Sequence, residues 1–196
     1  MNIIYSDYKK SDKDQIIRLF EDFMDYLIGI DPIHRLRRLS GYGELQLKKS
    51  LKDVKTKNGK FIVATDDSKL IGFVIGVVLH QTEEEKMEVI PSTMGRIIEL
   101  YVDSKYRCKG VGTALINKIE SYFRVNLCDT IWIEVFEPNF SAHGLYKKLG
   151  YNDRSIDLIK SLWFEIGYNF VNSSPQRKRS QSDFNVAGAL NVEIME

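Results

Sequence analysis

The stretch YRCKGVGTAL, residues 106–115, decides the fold assignment, because it places two glycines and two basic side chains between an apolar run and a helix-like run. The apolar run RIIELYV covers residues 96–102, and the segment at 113–123 has its apolar side chains at helical spacing. A loop between a strand and a helix start leaves backbone N–H groups unpaired, and the helix dipole adds positive charge there. The stretch therefore predicts an anion site, at which Gly110 and Gly112 let a phosphate approach the backbone.

The glycine pattern alone does not identify a ligand. In the plainest interpretation, the glycines serve only the geometry of a tight turn and no ligand is involved. A Walker loop is excluded, because the chain contains no G-x-x-x-x-G-K-[ST] run. A dinucleotide fingerprint needs Gly or Ala where the chain has Leu115, although Glu134 lies at a suitable distance downstream. A nicotinamide-dinucleotide site is therefore kept only as a remote alternative.

Composition limits the class of protein. The chain has 196 residues, of which 43% are hydrophobic and 28% charged, and these values fit one domain with a full core. The formal net charge is only +1, so the chain lacks the broad excess of positive charge that is typical of a dedicated nucleic-acid binder. The longest apolar stretch, residues 70–79, is too short to cross a membrane, and the first ten residues lack a signal-peptide core. The two cysteines, Cys108 and Cys128, cannot form a disulfide framework, so we expect a cytoplasmic protein. Neither they nor the three histidines have metal-ligand spacing, so we expect no metal. We also expect neither a nucleic-acid partner nor a membrane partner.

The order of apolar patterns predicts an α/β fold with a mixed sheet. Helix is predicted at 11–30, in a broken form at 31–54, and at 113–125 and 141–150; strands are predicted at 2–8, 95–102, 130–136 and 155–163, with a hairpin at 59–80 that turns at Asp66–Ser68. The break is expected because Asp31-Pro32 stops the first helix and Gly41 and Gly43 interrupt the next one. Strands that alternate with helices favour parallel pairing, and the hairpin adds antiparallel pairing.

The C-terminal end differs in composition from the rest of the chain. Residues 171–196 begin with a polar and basic cluster and continue with a modest apolar run that fits neither a helix nor a strand period. We therefore divide the chain into a domain at 1–170 and an extension at 171–196. The extension is interpreted as a linker plus a short segment, and the hypothesis is that it docks on its own domain or on a partner subunit.

Two motifs together resemble a known family. RCKGVG, residues 107–112, has the form [Q/R]-x-x-G-x-[G/A] and closely resembles the acetyl-coenzyme A loop of the GNAT N-acetyltransferase superfamily. IWIEVFEPNFSAHGLYKKLGY, residues 131–151, resembles the strand and helix that follow in that family. The likeness is strong over residues 96–162, and the upstream element order agrees with it. The resemblance implies the GNAT fold, with a central mixed β-sheet splayed between its fourth and fifth strands and flanked by helices.

The resemblance also implies acetyl-coenzyme A as co-substrate. The N–H groups of residues 108–113 would bind its pyrophosphate, and nearby basic side chains would add positive charge. Its amide-rich pantetheine arm can hydrogen-bond to the sheet like an added strand. The contacts implied in this way involve Leu100, Tyr101, Val102, Arg107, Cys108, Lys109, Gly110, Val111, Gly112, Thr113, Asn139 and Tyr146.

Two residues are candidates for proton transfer. Tyr146 matches the tyrosine that commonly protonates the departing coenzyme thiolate in the family, and its alternative role is that of a core aromatic. Glu99, on the same strand face as Tyr101 by alternation, is either the general base or substrate anchor or a purely structural residue. A backbone N–H near Leu100 or Tyr101 would polarise the thioester carbonyl. Glu134 is a weaker candidate.

The function implied is N-acetyl transfer from acetyl-coenzyme A to a primary amine, by direct attack in a ternary complex. The acceptor stays open between a small-molecule amine and a peptide or protein amine, because residues 20–42, expected to line the acceptor side, carry side chains of both signs. A non-catalytic acyl-coenzyme A sensor or scaffold is the alternative. A homodimer is compatible with the resemblance, since many relatives pair through sheet edges or C-terminal elements.

Overall fold

The computed structural model describes residues 2–160. Its strands are β1 Ile3–Asp7, β2 Lys60–Asp66, β3 Lys69–His80, β4 Thr93–Val102 and β5 Thr130–Ile133, and its α-helices are α1 Lys13–Ile30, α2 Tyr42–Thr56, α3 Glu85–Glu88, α4 Val111–Val125 and α5 Phe140–Lys148. The strands follow the order β1-β2-β3-β4-β5; each of the first three neighbouring pairs is antiparallel, and β4 and β5 are parallel. The predicted mixed sheet is confirmed.

Helices cover both faces of the sheet, because β3 is apolar along nearly its whole length and is buried on both sides. On one face α1 and α2 pack over an aromatic cluster that includes Phe20, Phe73 and Tyr101. On the other face α4 buries Leu115 and Phe123 against the sheet. This packing places the N-terminus of α4 next to the end of β4, where the glycine loop lies.

The sheet is splayed between β4 and β5. Their pairing ends at Ile97 and Ile133, although β4 continues to Val102. A β-bulge accompanies the separation: Ile75 of β3 pairs with Glu99 and the next residue pairs with Ile97, so that Ile98 is an extra residue in β4. Such a bulge bends a strand and increases its twist. The second half of β4 and the segment after β5 therefore border a gap, as predicted.

The expected interruption of α2 at Gly43 is wrong. The helix begins at Tyr42, directly after Gly41, whose φ of 82° lies in the left-handed region, and Gly43 belongs to its first turn. A Cβ atom at Gly43 would lie 2.8 Å from the carbonyl oxygen of Ile17 in α1. This glycine is therefore explained by close packing between two helices and not by a break.

The strand predicted at 155–163 is also wrong over its described part. Residues 151–160 contain no strand, and the side chain of Ile156 is 83% exposed. An isolated apolar alternation does not form a strand unless a sheet edge pairs with it. The remainder of that segment, the proposed boundary between 170 and 171 and the C-terminal extension lie outside the described residues.

Within residues 2–160, every helix is too short or too polar to cross a membrane. The same part of the chain has no cluster of three or more His, Cys, Asp or Glu side chains arranged to hold a metal ion.

Candidate active site

The glycine loop presents a row of unpartnered backbone N–H groups at the start of α4. Gly110 is the N-cap with a φ of 81°, and no side chain caps the helix. The first N–H to find a backbone partner is that of Ala114, which donates to the Gly110 oxygen at 3.0 Å. Among the described residues, the six N–H groups of 108–113 donate to no protein acceptor. The loop therefore has the donors that an anion requires.

The two basic side chains of the loop are turned toward tyrosine rings. The guanidinium carbon of Arg107 lies 4.4 Å from the centre of the Tyr26 ring and 5.7 Å from that of Tyr101, and its Nε donates to the Val102 oxygen at 3.0 Å. The ammonium of Lys109 lies 5.4 Å from the centre of the Tyr106 ring. In this arrangement Arg107 holds the end of β4 in place rather than extending over the loop.

The two glycines of the loop differ in their surroundings. A Cβ atom at Gly112 would lie 3.4 Å from a methyl carbon of Leu145, whereas one at Gly110 would meet no atom within 4 Å. A Cβ at Gly112 would thus make only an ordinary van der Waals contact with α5, whereas Gly110 has a positive φ that favours glycine. Of the two glycines, Gly110 is the one that borders open space.

Two backbone N–H groups on the free edge of β4 point into the gap. Asp103 N–H donates to the oxygen of Ile71 in the β3 direction, at 2.8 Å. Because hydrogen-bonding directions alternate along a strand, the N–H groups of Leu100 and Val102 point away from β3 toward the gap. Of the two residues proposed to polarise a carbonyl, the geometry favours Leu100 over Tyr101.

Tyr146 projects from α5 and is 7% exposed. Burial, and secondarily the nearby phenol of Tyr26, raises the pKa of Tyr146 to about 12. Within residues 2–160 its hydroxyl has no hydrogen-bond partner, and the only fully buried side-chain nitrogen or oxygen there without a partner is Ser50 Oγ. The Tyr146 hydroxyl is consequently protonated at neutral pH, is not fully buried, and is free to donate a hydrogen bond to a ligand.

Glu99 lies on the α2 face of β4, as does Tyr101, in agreement with the predicted alternation. Gln46 Nε2 of α2 donates to Glu99 Oε1 at 2.6 Å. Burial raises the pKa of Glu99 to about 7, although the Gln46 hydrogen bond and the charge of Lys49 both act to lower it. A carboxyl group of this kind is part ionised at neutral pH, which suits proton transfer.

A cleft of about 370 Å³ opens beside Glu99, between α2 and the sheet. Two ion pairs lie in its wall, Arg96 with Glu134 at 3.1 Å and Lys57 with Asp53 at 2.9 Å. The first of these pairs explains Glu134 as a structural partner of Arg96. The lining residues are Gln46, Lys49, Ser50, Asp53, Lys57, Val77, Leu79, Arg96, Ile97, Ile98, Glu99 and Glu134. The cleft lies on the sheet face opposite α4, so that a molecule in it would approach Glu99 from the side away from the glycine loop.

Asn139 caps α5 with its side chain. Its Oδ1 accepts the N–H of Ala142 at 3.3 Å and the hydroxyl of Tyr26 at 3.0 Å. The sequence motif identified Asn139 but not Tyr26 or Gln46, which lie 113 and 53 residues away from their partners. A signal for Tyr26 was its spacing of three from Phe23, because that spacing places both rings on one face of α1.

Two sequence relatives are named as N-acetyltransferases. An uncharacterized N-acetyltransferase of Methanocaldococcus jannaschii is 32% identical over 97 residues, which cover 49% of this chain and 54% of that protein. An N-alpha-acetyltransferase of Sulfurisphaera tokodaii is 25% identical over 128 residues, covering 65% of this chain and 77% of the relative. The matched region thus spans about half the length of the first relative.

A solved structure and a family model agree with these relatives. A mutant protein from Bacillus halodurans superimposes with a TM-score of 0.72 at 18% identity, over 82% of this chain and 99% of its own, and this similarity supports the fold. The model of the acetyltransferase (GNAT) family matches residues 16–151, which include β4, the glycine loop and Tyr146. The chain therefore belongs to the GNAT acetyltransferase family.

Proposed function

We propose that this chain transfers the acetyl group of acetyl-coenzyme A to a primary amine by direct attack in a ternary complex. The observation that carries the proposal is the row of six unpartnered N–H groups at residues 108–113, which lies beside the gap between β4 and β5. These donors fit a diphosphate, and the free N–H groups of Leu100 and Val102 fit an amide-bearing arm. Membership of the GNAT family and two relatives named as N-acetyltransferases support the reaction type.

The proposed chemistry divides among three groups of the chain. Acetyl-coenzyme A, when bound, supplies an electrophilic thioester carbonyl. The Leu100 N–H is the donor for the carbonyl oxygen as negative charge develops on it. Glu99 accepts the ammonium proton of the acceptor at Oε2, because Oε1 already accepts from Gln46. Tyr146 donates its phenolic proton to the departing thiolate, and the proton that the attacking nitrogen loses as the amide forms restores the phenol.

The acceptor belongs to the class of primary amines, either small molecules or peptides. The cleft beside Glu99 contains side chains of both signs, and two of its cations are already paired with carboxylates. An amine therefore meets a cleft without a strong net charge. Cytoplasmic location and a homodimer stay predictions from the sequence.

A thiol-release assay with acetyl-coenzyme A tests the proposal directly. The panel contains a polyamine, free amino acids and a peptide with a free N-terminus, and we expect turnover with at least one of them. Tight coenzyme binding without turnover on any acceptor would instead favour a sensor or scaffold. Binding of NAD in preference to coenzyme A would overturn the assignment.

Gly110→Ala is expected to raise the Kd for coenzyme A at least about tenfold, a change of about 1.4 kcal/mol in binding free energy. The methyl group would project into the open space where a diphosphate would lie, and it would also strain a residue with a φ of 81°. Isothermal titration calorimetry measures the change. Gly41→Ala is the matched control, since Gly41 is also a helix N-cap, has a φ of 82° and has no neighbour within 4 Å. Equal coenzyme affinity in the two variants would contradict the phosphate site.

A further inference from the structure

Tyr26 of α1 connects the two segments that border the gap. Its hydroxyl donates to Asn139 Oδ1 at 3.0 Å, and its ring lies against the guanidinium of Arg107 at 4.4 Å. Asn139 follows β5 and caps α5, whereas Arg107 follows β4 and donates to the Val102 oxygen. One partly buried side chain thus contacts both sides of the splayed region.

Side chains must set the width of the gap, because backbone pairing between β4 and β5 stops at Ile97 and Ile133. The Tyr26–Asn139 hydrogen bond is one such side-chain contact, and the contact between Arg107 and the Tyr26 ring is another. Contacts of this kind contribute little to global stability, but they fix the position of a helix that no strand pairing holds.

The same contacts determine which atom of Asn139 is available to a ligand. The backbone N–H of Ala142 is only a donor, so the atom that faces it must be the side-chain oxygen. The Tyr26 hydroxyl donates to that oxygen as well, and both lone pairs are then in use. The amide nitrogen, Nδ2, is the group that remains free to donate to a carbonyl.

We infer that Tyr26 is a positioning residue for acetyl transfer, which holds Asn139 and, through α5, the hydroxyl of Tyr146 at a set distance from β4. Tyr146 follows Asn139 by seven residues, which is about two helical turns, so both lie toward the same face of α5. The phenol of Tyr26 is also close enough to Tyr146 to affect its titration. The inference rests on the proposed function.

Tyr26→Phe tests the inference, because it keeps the ring against Arg107 and removes only the hydroxyl. We expect kcat to fall about tenfold and the Kd for coenzyme A to change less than about threefold, the pattern of a lost transition-state contribution. Tyr122→Phe is the control: it removes a hydroxyl that hydrogen-bonds to the Asn58 oxygen at 2.9 Å, on a different part of the fold, and should leave kcat unchanged. A loss of coenzyme affinity in Tyr26→Phe with kcat unchanged would overturn the inference.

A double-mutant cycle with Asn139→Ala separates positioning from a general structural role. If Tyr26 acts through Asn139, Tyr26→Phe should have no further effect on kcat or on the melting temperature once Asn139 is Ala. Additive losses in both quantities would overturn the inference. The melting-temperature cycle does not need turnover, so it tests the Tyr26–Asn139 connection even if wild-type protein acetylates no amine, a result that would count against the proposed function alone.

Discussion

The Tyr146→Phe variant is expected to lose about 100-fold in kcat, the magnitude typical of a positioned proton donor, and to keep its coenzyme A affinity within about twofold. The phenyl ring preserves the packing of the buried side chain against Tyr151, whose ring centre lies 6.0 Å away. Only the hydroxyl is removed, and no described residue depends on it for a hydrogen bond. Steady-state thiol release gives kcat, and calorimetry gives the affinity.

The physical reason lies in the burial of Tyr146. A pKa of about 12 keeps the phenol protonated throughout the neutral range, so it is always available as a donor. The same low-polarity surroundings raise the proton affinity of a thiolate formed beside it. We therefore expect the difference in kcat between Tyr146→Phe and wild type to be smaller with an acetyl donor whose thiol is more acidic, because such a leaving group needs less protonation.

Tyr151→Phe is the matched control. Tyr151 also has a pKa raised by burial, and its hydroxyl donates to Glu120 Oε1 at 3.0 Å on the side of α4. Its loss should reduce the melting temperature with little effect on kcat. If Tyr146→Phe also changed only stability, Tyr146 would be a core aromatic, and the thiolate would take its proton from another group.

Much of the fold could be predicted from local patterns, because the long apolar runs of β2 and β3 and the helical spacing in α1 and α4 depend on nearby residues. The bulge at Ile98 could not. Plain alternation places Ile97 on the same face as Glu99, whereas the extra residue moves Ile97 to the α4 face. Nothing in the sequence RIIELYV marks that shift, since a bulge is a property of the paired strand as much as of the bulged one.

In the candidate site, too, some residues could be predicted from the sequence and others could not. The glycine loop, Asn139 and Tyr146 carry motif signals and could be named in advance, although the roles assigned to them stay predictions. Gln46 and Tyr26 could not, because each meets its partner only through tertiary packing across many residues. Arg107 shows both sides of this division: its place in the motif could be recognised in the sequence, whereas the contact of its guanidinium with the ring of Tyr26, a residue far away in the sequence, could not.

Glu99→Gln is expected to lower kcat about 100-fold and to remove the acidic limb of the pH profile. In wild-type protein, kcat/KM should rise with pH and level off above about 7, the pKa to which burial raises Glu99. Glutamine keeps the size of the side chain and an oxygen for the Gln46 amide, but it cannot accept a proton. Rates measured from about pH 5.5 to about pH 9 with one amine, a range that brackets this pKa, show whether the limb disappears.

The same raised pKa predicts a stability change that does not depend on turnover. Between the ordinary value of 4.5 and about 7, the folded chain holds the Glu99 proton more strongly than the unfolded chain does. Folding stability from this group is thus fully present below about 4.5 and decreases as pH rises through about 7. Urea unfolding at about pH 5 and about pH 8 should show this decrease in wild-type protein and a smaller one in Glu99→Gln.

Two comparisons distinguish a base from a substrate anchor at Glu99. A base becomes less important when the acceptor is already neutral, so a weakly basic amine should recover part of the rate in Glu99→Gln. An anchor instead binds the ammonium form, and its loss would raise KM while the acidic limb persisted. Glu134→Gln provides the carboxylate control, because Glu134 lines the same cleft but is paired with Arg96. If Glu134→Gln removed the limb and Glu99→Gln kept it, the proton would be accepted at Glu134, and Glu99 would be a structural partner of Gln46.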